Sequence, residues 1–135
     1  MHVLRNVHRA LQPGGLVLDI HPLGIDFAVR AGAHGLGFID TRKFRGVVEA
    51  MNDCVEQTIS EGLYKEVRSV RRHVSERFDD AAEALEEAGT WEHLRMPAAL
   101  RRRLRETDDS PVEFIDTIRY RLLRKSGEPS RLARL

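Results

Sequence analysis

The helix breaker Pro13-Gly14-Gly15, set between a helical pattern and the apolar run Leu16-Val17-Leu18-Asp19-Ile20, constrains this chain more than any other feature. Upstream, Val3, Leu4, Val7, Ala10 and Leu11 recur at helical spacing and leave Arg5, Asn6 and Arg9 facing outward. Proline and two glycines then stop the helix. The run that follows has the composition of a strand, and Pro22 limits its continuation. A nearly continuous apolar strand belongs inside a parallel sheet with both faces covered. Here it follows almost directly on Met1, so the chain is expected to begin where a larger fold would already be half built.

The next stretch, residues 23–37, carries four glycines and no clear period. It is expected to be a loop, with at most a short helix or strand about 25–29. Phe44, Val47, Val48, Met51, Val55, Thr58 and Ile59 then recur every three or four residues and end near Gly62, which predicts a long helix capped by Asp40 or Thr41. Over 63–78 two periods compete. Val67, Val70, Val74 and Phe78 have helical spacing, while Tyr64, Val70, Val74 and Phe78 share one face of a strand; the strand is favoured. Asp79 is expected to cap a short helix at 80–88 closed by Gly89, and Pro97 to open another that runs to about Arg105. Finally, Val112, Phe114, Ile118, Tyr120 and Leu122 alternate with Glu113, Thr117, Arg119 and Arg121, the mark of a strand with one buried and one wetter face. Residues 1–125 are expected to form a single domain and 126–135 a flexible tail.

Charge and cysteine content exclude several classes. With 22 basic and 21 acidic residues in 135, the net charge of +1 gives no electrostatic basis for a nucleic acid or membrane partner. Cys54 is the only cysteine, so neither an internal disulfide nor a cysteine zinc cluster can form, and its place in an apolar helical pattern suits an inert thiol. No run approaches the roughly 18 apolar residues of a membrane span, and no charged-then-apolar leader opens the chain. The default expectation is a bacterial-type cytoplasmic protein.

The order helix, Pro-Gly-Gly, apolar strand, long helix, strand, short helices and final strand resembles the C-terminal half of a class I S-adenosylmethionine-dependent methyltransferase. The residues that carry the likeness are Val7-His8-Arg9-Ala10-Leu11-Gln12-Pro13-Gly14-Gly15 leading into Leu16–Ile20, and the closing Tyr120-Arg121-Leu122-Leu123-Arg124-Lys125. The resemblance covers nearly the whole chain, and only the Pro-Gly-Gly element is reasonably specific. It implies an α/β fold: part of a doubly wound, Rossmann-like methyltransferase sheet, short and mixed, in the order fifth, seventh, sixth strand and flanked by helices. The resemblance also implies that the Gly-rich turn and the acid that hold S-adenosylmethionine precede the fifth strand. The isolated chain is therefore expected to lack that cofactor and any activity of its own.

Candidate functional residues cluster after the first strand. His21 lies at its carboxyl end, where ligands of open α/β sheets bind, and Asp26, Arg30 and His34 follow; together they are the substrate-facing candidates. A metal set among them has no helical ligand spacing, and no metal is expected. Gly32-Ala33-His34-Gly35-Leu36-Gly37 is not a phosphate loop, because its spacing is wrong and no helix opens on it. It suits a tight turn or a substrate-side loop. Arg101, Arg102, Arg103 and Arg105 fit a solvated helix face, with no aromatic platform for stacking bases. Trp91 fits a cap over the core.

Two expectations of function follow. One is a methyltransferase-family fragment or degenerate member that needs a missing half. The other is a non-catalytic module that pairs the exposed strand edge formed by Leu16, Val17, Leu18 and Ile20, as a homodimer or with a partner chain. The methyl acceptor is not legible.

Overall fold

The computed structural model describes residues 3–126. Its elements in chain order are α1 (Val3–Ala10), β1 (Leu16–Pro22), β2 (Ala28–Ala31), β3 (His34–Phe38), α2 (Arg42–Ser60), β4 (Tyr64–Phe78), α3 (Ala81–Ala88), α4 (Ala98–Glu106) and β5 (Val112–Lys125). The expected tail at 126–135 lies, beyond Ser126, outside the described residues. The fold is α/β, with an antiparallel five-stranded sheet in the order β1-β5-β2-β3 and β4 also paired to β5. The chain divides into two compact units, and α2, β4 and β5 contribute residues to both.

Among the described residues the first unit comprises 3–21, 49–71 and 119–126. Its core joins Leu4, Val55, Tyr64 and Leu123, with Leu11, Val17, Ile59 and Leu63 packed around them. The turn after α1 explains the Pro-Gly-Gly sequence. Gly14 has φ of 76°, a left-handed conformation that side chains disfavour. A Cβ on Gly15 would lie 2.9 Å from the Gln12 carbonyl oxygen, so that glycine is required by close approach. Lys125 Nζ donates to the carbonyls of His8 and Leu11 at 2.7 and 2.9 Å, placing a cation where α1 leaves its last carbonyls unpaired. Tyr64, 1% exposed, donates its hydroxyl to the Leu4 carbonyl at 2.7 Å.

Antiparallel pairing of β1 with β5 is fixed in this unit by the Lys125 amide, which donates to the Gly15 carbonyl at 2.8 Å. The outer edge of β1 carries no strand among the described residues. The run Leu16–Ile20 thus departs from a parallel-sheet interior. Val17 packs on the core, whereas Leu16, Leu18 and Ile20 are 51%, 56% and 51% exposed.

The second unit comprises residues 22–48 and 72–118. Its core is built on Phe27, Val29, Ala31, Met96, Leu100, Leu104, Val112 and Phe114. Here the expected glycine-rich loop is a β-hairpin. Strand β2 pairs antiparallel with β5, Ala28 opposite Ile115 and Ala31 opposite Val112, and with β3 on its other side. Gly32, with φ of 56°, makes the turn. Val29 and Ala31 are fully buried, so tertiary packing selects a strand that local period did not signal.

Helix starts also differ from expectation in detail. Asp80, not Asp79, caps α3, its Oδ1 accepting the Glu83 amide at 2.9 Å, while Glu83 accepts the Asp79 amide at 3.0 Å. At α2, Asp40 accepts the Arg42 amide at 3.1 Å, and the Thr41 hydroxyl turns away to the Gly24 carbonyl. Residues 64–78 are a strand, but Val74 on its expected inner face is 42% exposed.

Candidate functional site

A hydrogen-bonded cluster of polar and charged side chains, with His21 and Arg121 buried, lies in the first unit, on the face of β1 and β5 that α2 covers. Two strands supply it through their two-residue period: Asp19 and His21 from β1, Arg119 and Arg121 from β5. Helix α2 supplies Asn52 and Glu56, one turn apart on a single face. Glu66 on β4 closes the set.

Arg121 is the best satisfied member. Only 5% exposed, it donates Nε to Glu66, Nη2 to Glu56 and Nη1 to Asn52 Oδ1, the last at 3.2 Å. Burial alone would push its guanidinium down. The hydrogen bonds and charges of Glu56 and Glu66 outweigh that and hold it above its ordinary value. Arg119 has the opposite balance. Burial and the neighbouring Arg121 charge lower its guanidinium, with Asp19 acting against them.

Arg119 Nη2 reaches two acceptors, His21 Nε2 at 3.1 Å and Asn52 Oδ1 at 2.6 Å. His21 is 6% exposed, and its Nδ1 lies 3.2 Å from Asp19 Oδ2. That contact is within ion-pair distance but does not complete a hydrogen bond, so Asp19 Oδ2 and Arg119 Nε are both buried without a hydrogen-bond partner. Such atoms are costly to bury without a partner.

Chemically, the arrangement restrains His21 more than it arms it. The ring nitrogen that a general base would present is occupied by a donor from Arg119. As it stands, the cluster orients and holds; it offers no free base to a substrate.

The sequence candidates fall elsewhere. Of His21, Asp26, Arg30 and His34, only His21 joins this cluster. The other three belong to the second unit. Asp26 is exposed with φ of 50°, Arg30 is exposed on β2 opposite Gly35, and His34 pairs with Asp109 at 2.9 Å in the open. A surface recess of about 320 Å³ in the second unit is lined by Asp40, Arg42, Lys43, Glu92, His93, Leu94 and Arg95, none of them a candidate. Gly32–Gly37 spans the hairpin turn and β3. Arg103 donates to the Leu36 carbonyl at 2.8 Å, and Trp91 packs on Phe114 and Phe27, as a cap over the core would. Cys54 is a half-buried free thiol. Among the described residues no group of three or more His, Cys, Asp or Glu is placed to hold a metal ion, and no helix is long and apolar enough to cross a membrane.

Asp19, Asn52, Glu56, Glu66, Arg119 and Arg121 escaped sequence reasoning. The available signal was polar residues at i, i+2 in two strands and at i, i+4 within the α2 pattern. No family model matches this chain, and neither a curated protein nor a solved structure matches it.

Proposed function

We propose that this chain is the C-terminal half of a class I S-adenosylmethionine-dependent methyltransferase-type domain, competent for methyl transfer only when its sheet is completed along the outer edge of β1. The single observation that carries this reading is the position of the last strand. β5 pairs with β1, the strand after Pro-Gly-Gly, and also with β4, the strand after the long helix. What supports the reading is that β1, β5 and β4 can be matched to the fifth, seventh and sixth strands. The pairing of β2 with β5 is a departure from it, since the hairpin adds to the same sheet.

Within residues 3–126, α1 alone precedes β1. Under this reading the Gly-rich turn and acid that would hold S-adenosylmethionine are supplied by a longer chain or by a partner chain. Calorimetric titration of the 135-residue chain with S-adenosylmethionine tests this. No binding is expected; a tight one-to-one complex would contradict the half-domain reading.

A second reading is supported by the exposure of Leu16, Leu18 and Ile20 on a strand with an unpaired edge. In it the chain is a non-catalytic module that pairs β1 with β1 of a second copy. An antiparallel two-fold centred on Leu18 would set each Leu16 against Ile20 of the other copy and make one continuous apolar row. The residues His21, Asp26, Arg30 and His34 remain substrate-facing candidates only under the first reading.

A further inference from the structure

We propose that His21 is a proton-operated latch that fastens the end of β1 to β5 and α2, and that proton uptake at its Nε2 opens it. The claim is independent of both functional readings and is carried by geometry inside the first unit. An arginine offers five N–H donors and no acceptor. The 3.1 Å contact of Arg119 Nη2 with His21 Nε2 therefore requires Nε2 to be the unprotonated, accepting nitrogen. The one ring proton sits on Nδ1, 3.2 Å from Asp19 Oδ2. Because the same Nη2 donates to Asn52 Oδ1, Arg119 ties the ring to α2 as well as to β5.

A second proton can go only on Nε2, where one N–H would confront another. Asp19 faces the ring from β1 and Arg119 from β5, while Arg121, Asp19, Arg71 and Glu56 act on the Arg119 charge. The added proton sets a second positive charge against the Arg119 guanidinium at a ring only 6% exposed, where an uncompensated charge is expensive. Asp19 favours the charged ring, but it lies on the Nδ1 side, which already bears a proton. It cannot relieve the clash at Nε2. Arg119 must withdraw, and with it goes the side-chain tie between the end of β1 and α2.

The test is nitrogen-15 NMR of the histidine rings together with amide hydrogen exchange of the full chain, from about pH 7.5 downward for as long as the chain stays folded. The Nδ1–H tautomer is expected for His21 at the upper end. As the ring charges, protection factors of the β1 amides are expected to fall about tenfold, while those of Val29 and Ala31 hold. His21→Gln keeps an acceptor for Arg119 and cannot charge, so its β1 protection is expected to stay level over the range. An Nε2–H tautomer at neutral pH, or imidazolium formation with β1 protection unchanged, would overturn the latch. Should His21→Gln fail to fold, the wild-type measurements decide the question alone.

Discussion

Replacing Arg121 is expected to destabilise the protein less than stripping away its partners, because the arginine is the buried member of the network. Its side chain is 5% exposed, whereas those of Glu56 and Glu66 are 55% and 39% exposed. In Arg121→Met the two carboxylates regain water, Asn52 Oδ1 keeps its bond from Arg119, and the methionine fills much of the vacated space. The lost pairs are then worth little more than surface ion pairs, and the cost should be about 1–2 kcal/mol. In the double variant Glu56→Ala with Glu66→Ala, the guanidinium stays buried without counter-charge. That state costs about 3 kcal/mol or more. Urea denaturation followed by circular dichroism measures both, with slopes compared to confirm that the same surface unfolds. If Arg121→Met costs as much as the double variant, burial does not set the energetics of this cluster.

Other changes test the packing and the caps. Phe114→Ala removes a ring 2% exposed whose centroid lies 4.8 Å from Phe78 and 5.4 Å from Trp91. A loss of about 3–5 kcal/mol is expected by denaturation, with the near-ultraviolet signal of Trp91 altered. Asp80→Ala deletes the α3 cap and should cost about 1 kcal/mol in the same assay. Asp40 is held at about 2 by the side-chain and backbone hydrogen bonds of Arg42. A depressed folded value means its contribution is present above the ordinary carboxylate range and is lost as pH falls toward about 2. Asp40→Asn should therefore flatten the pH dependence of the melting temperature in that acid window and leave it unchanged between pH values of about 6 and 8.

Much of the fold was legible because period and punctuation agreed. Phe44 to Ile59 marks α2, Pro13-Gly14-Gly15 marks the entry to β1, and residues 112–124 alternate as a strand should. The hairpin β2–β3 was not legible. Val29 and Ala31 are buried by Val112, Phe114 and their neighbours, a tertiary effect that the glycines around them conceal.

The alternation of β5 also misled in its second half. Val112 and Phe114 are buried in the second unit, but in the first unit the buried residues of the strand are Arg121 and Leu123. Arg119 and Arg121 therefore face inward where sequence reasoning expected the wetter face. Charged residues reach such positions only when partners arrive with them, and those partners, Asn52, Glu56, Glu66 and Asp19, lie on three other elements. His21 was found because it ends a strand; its neighbours were missed because each alone resembles an ordinary surface residue.

The self-pairing reading requires that the outer edge of β1 be covered by a second copy of the chain. Sedimentation equilibrium of the purified 15.4 kDa chain tests that most directly, with Leu18→Lys as the comparison. The self-pairing reading predicts a species of at least twice the chain mass for the wild type and a shift to monomer when a charge is placed in the Leu16, Leu18, Ile20 row. A wild-type chain that stays monomeric and soluble at high concentration would contradict it.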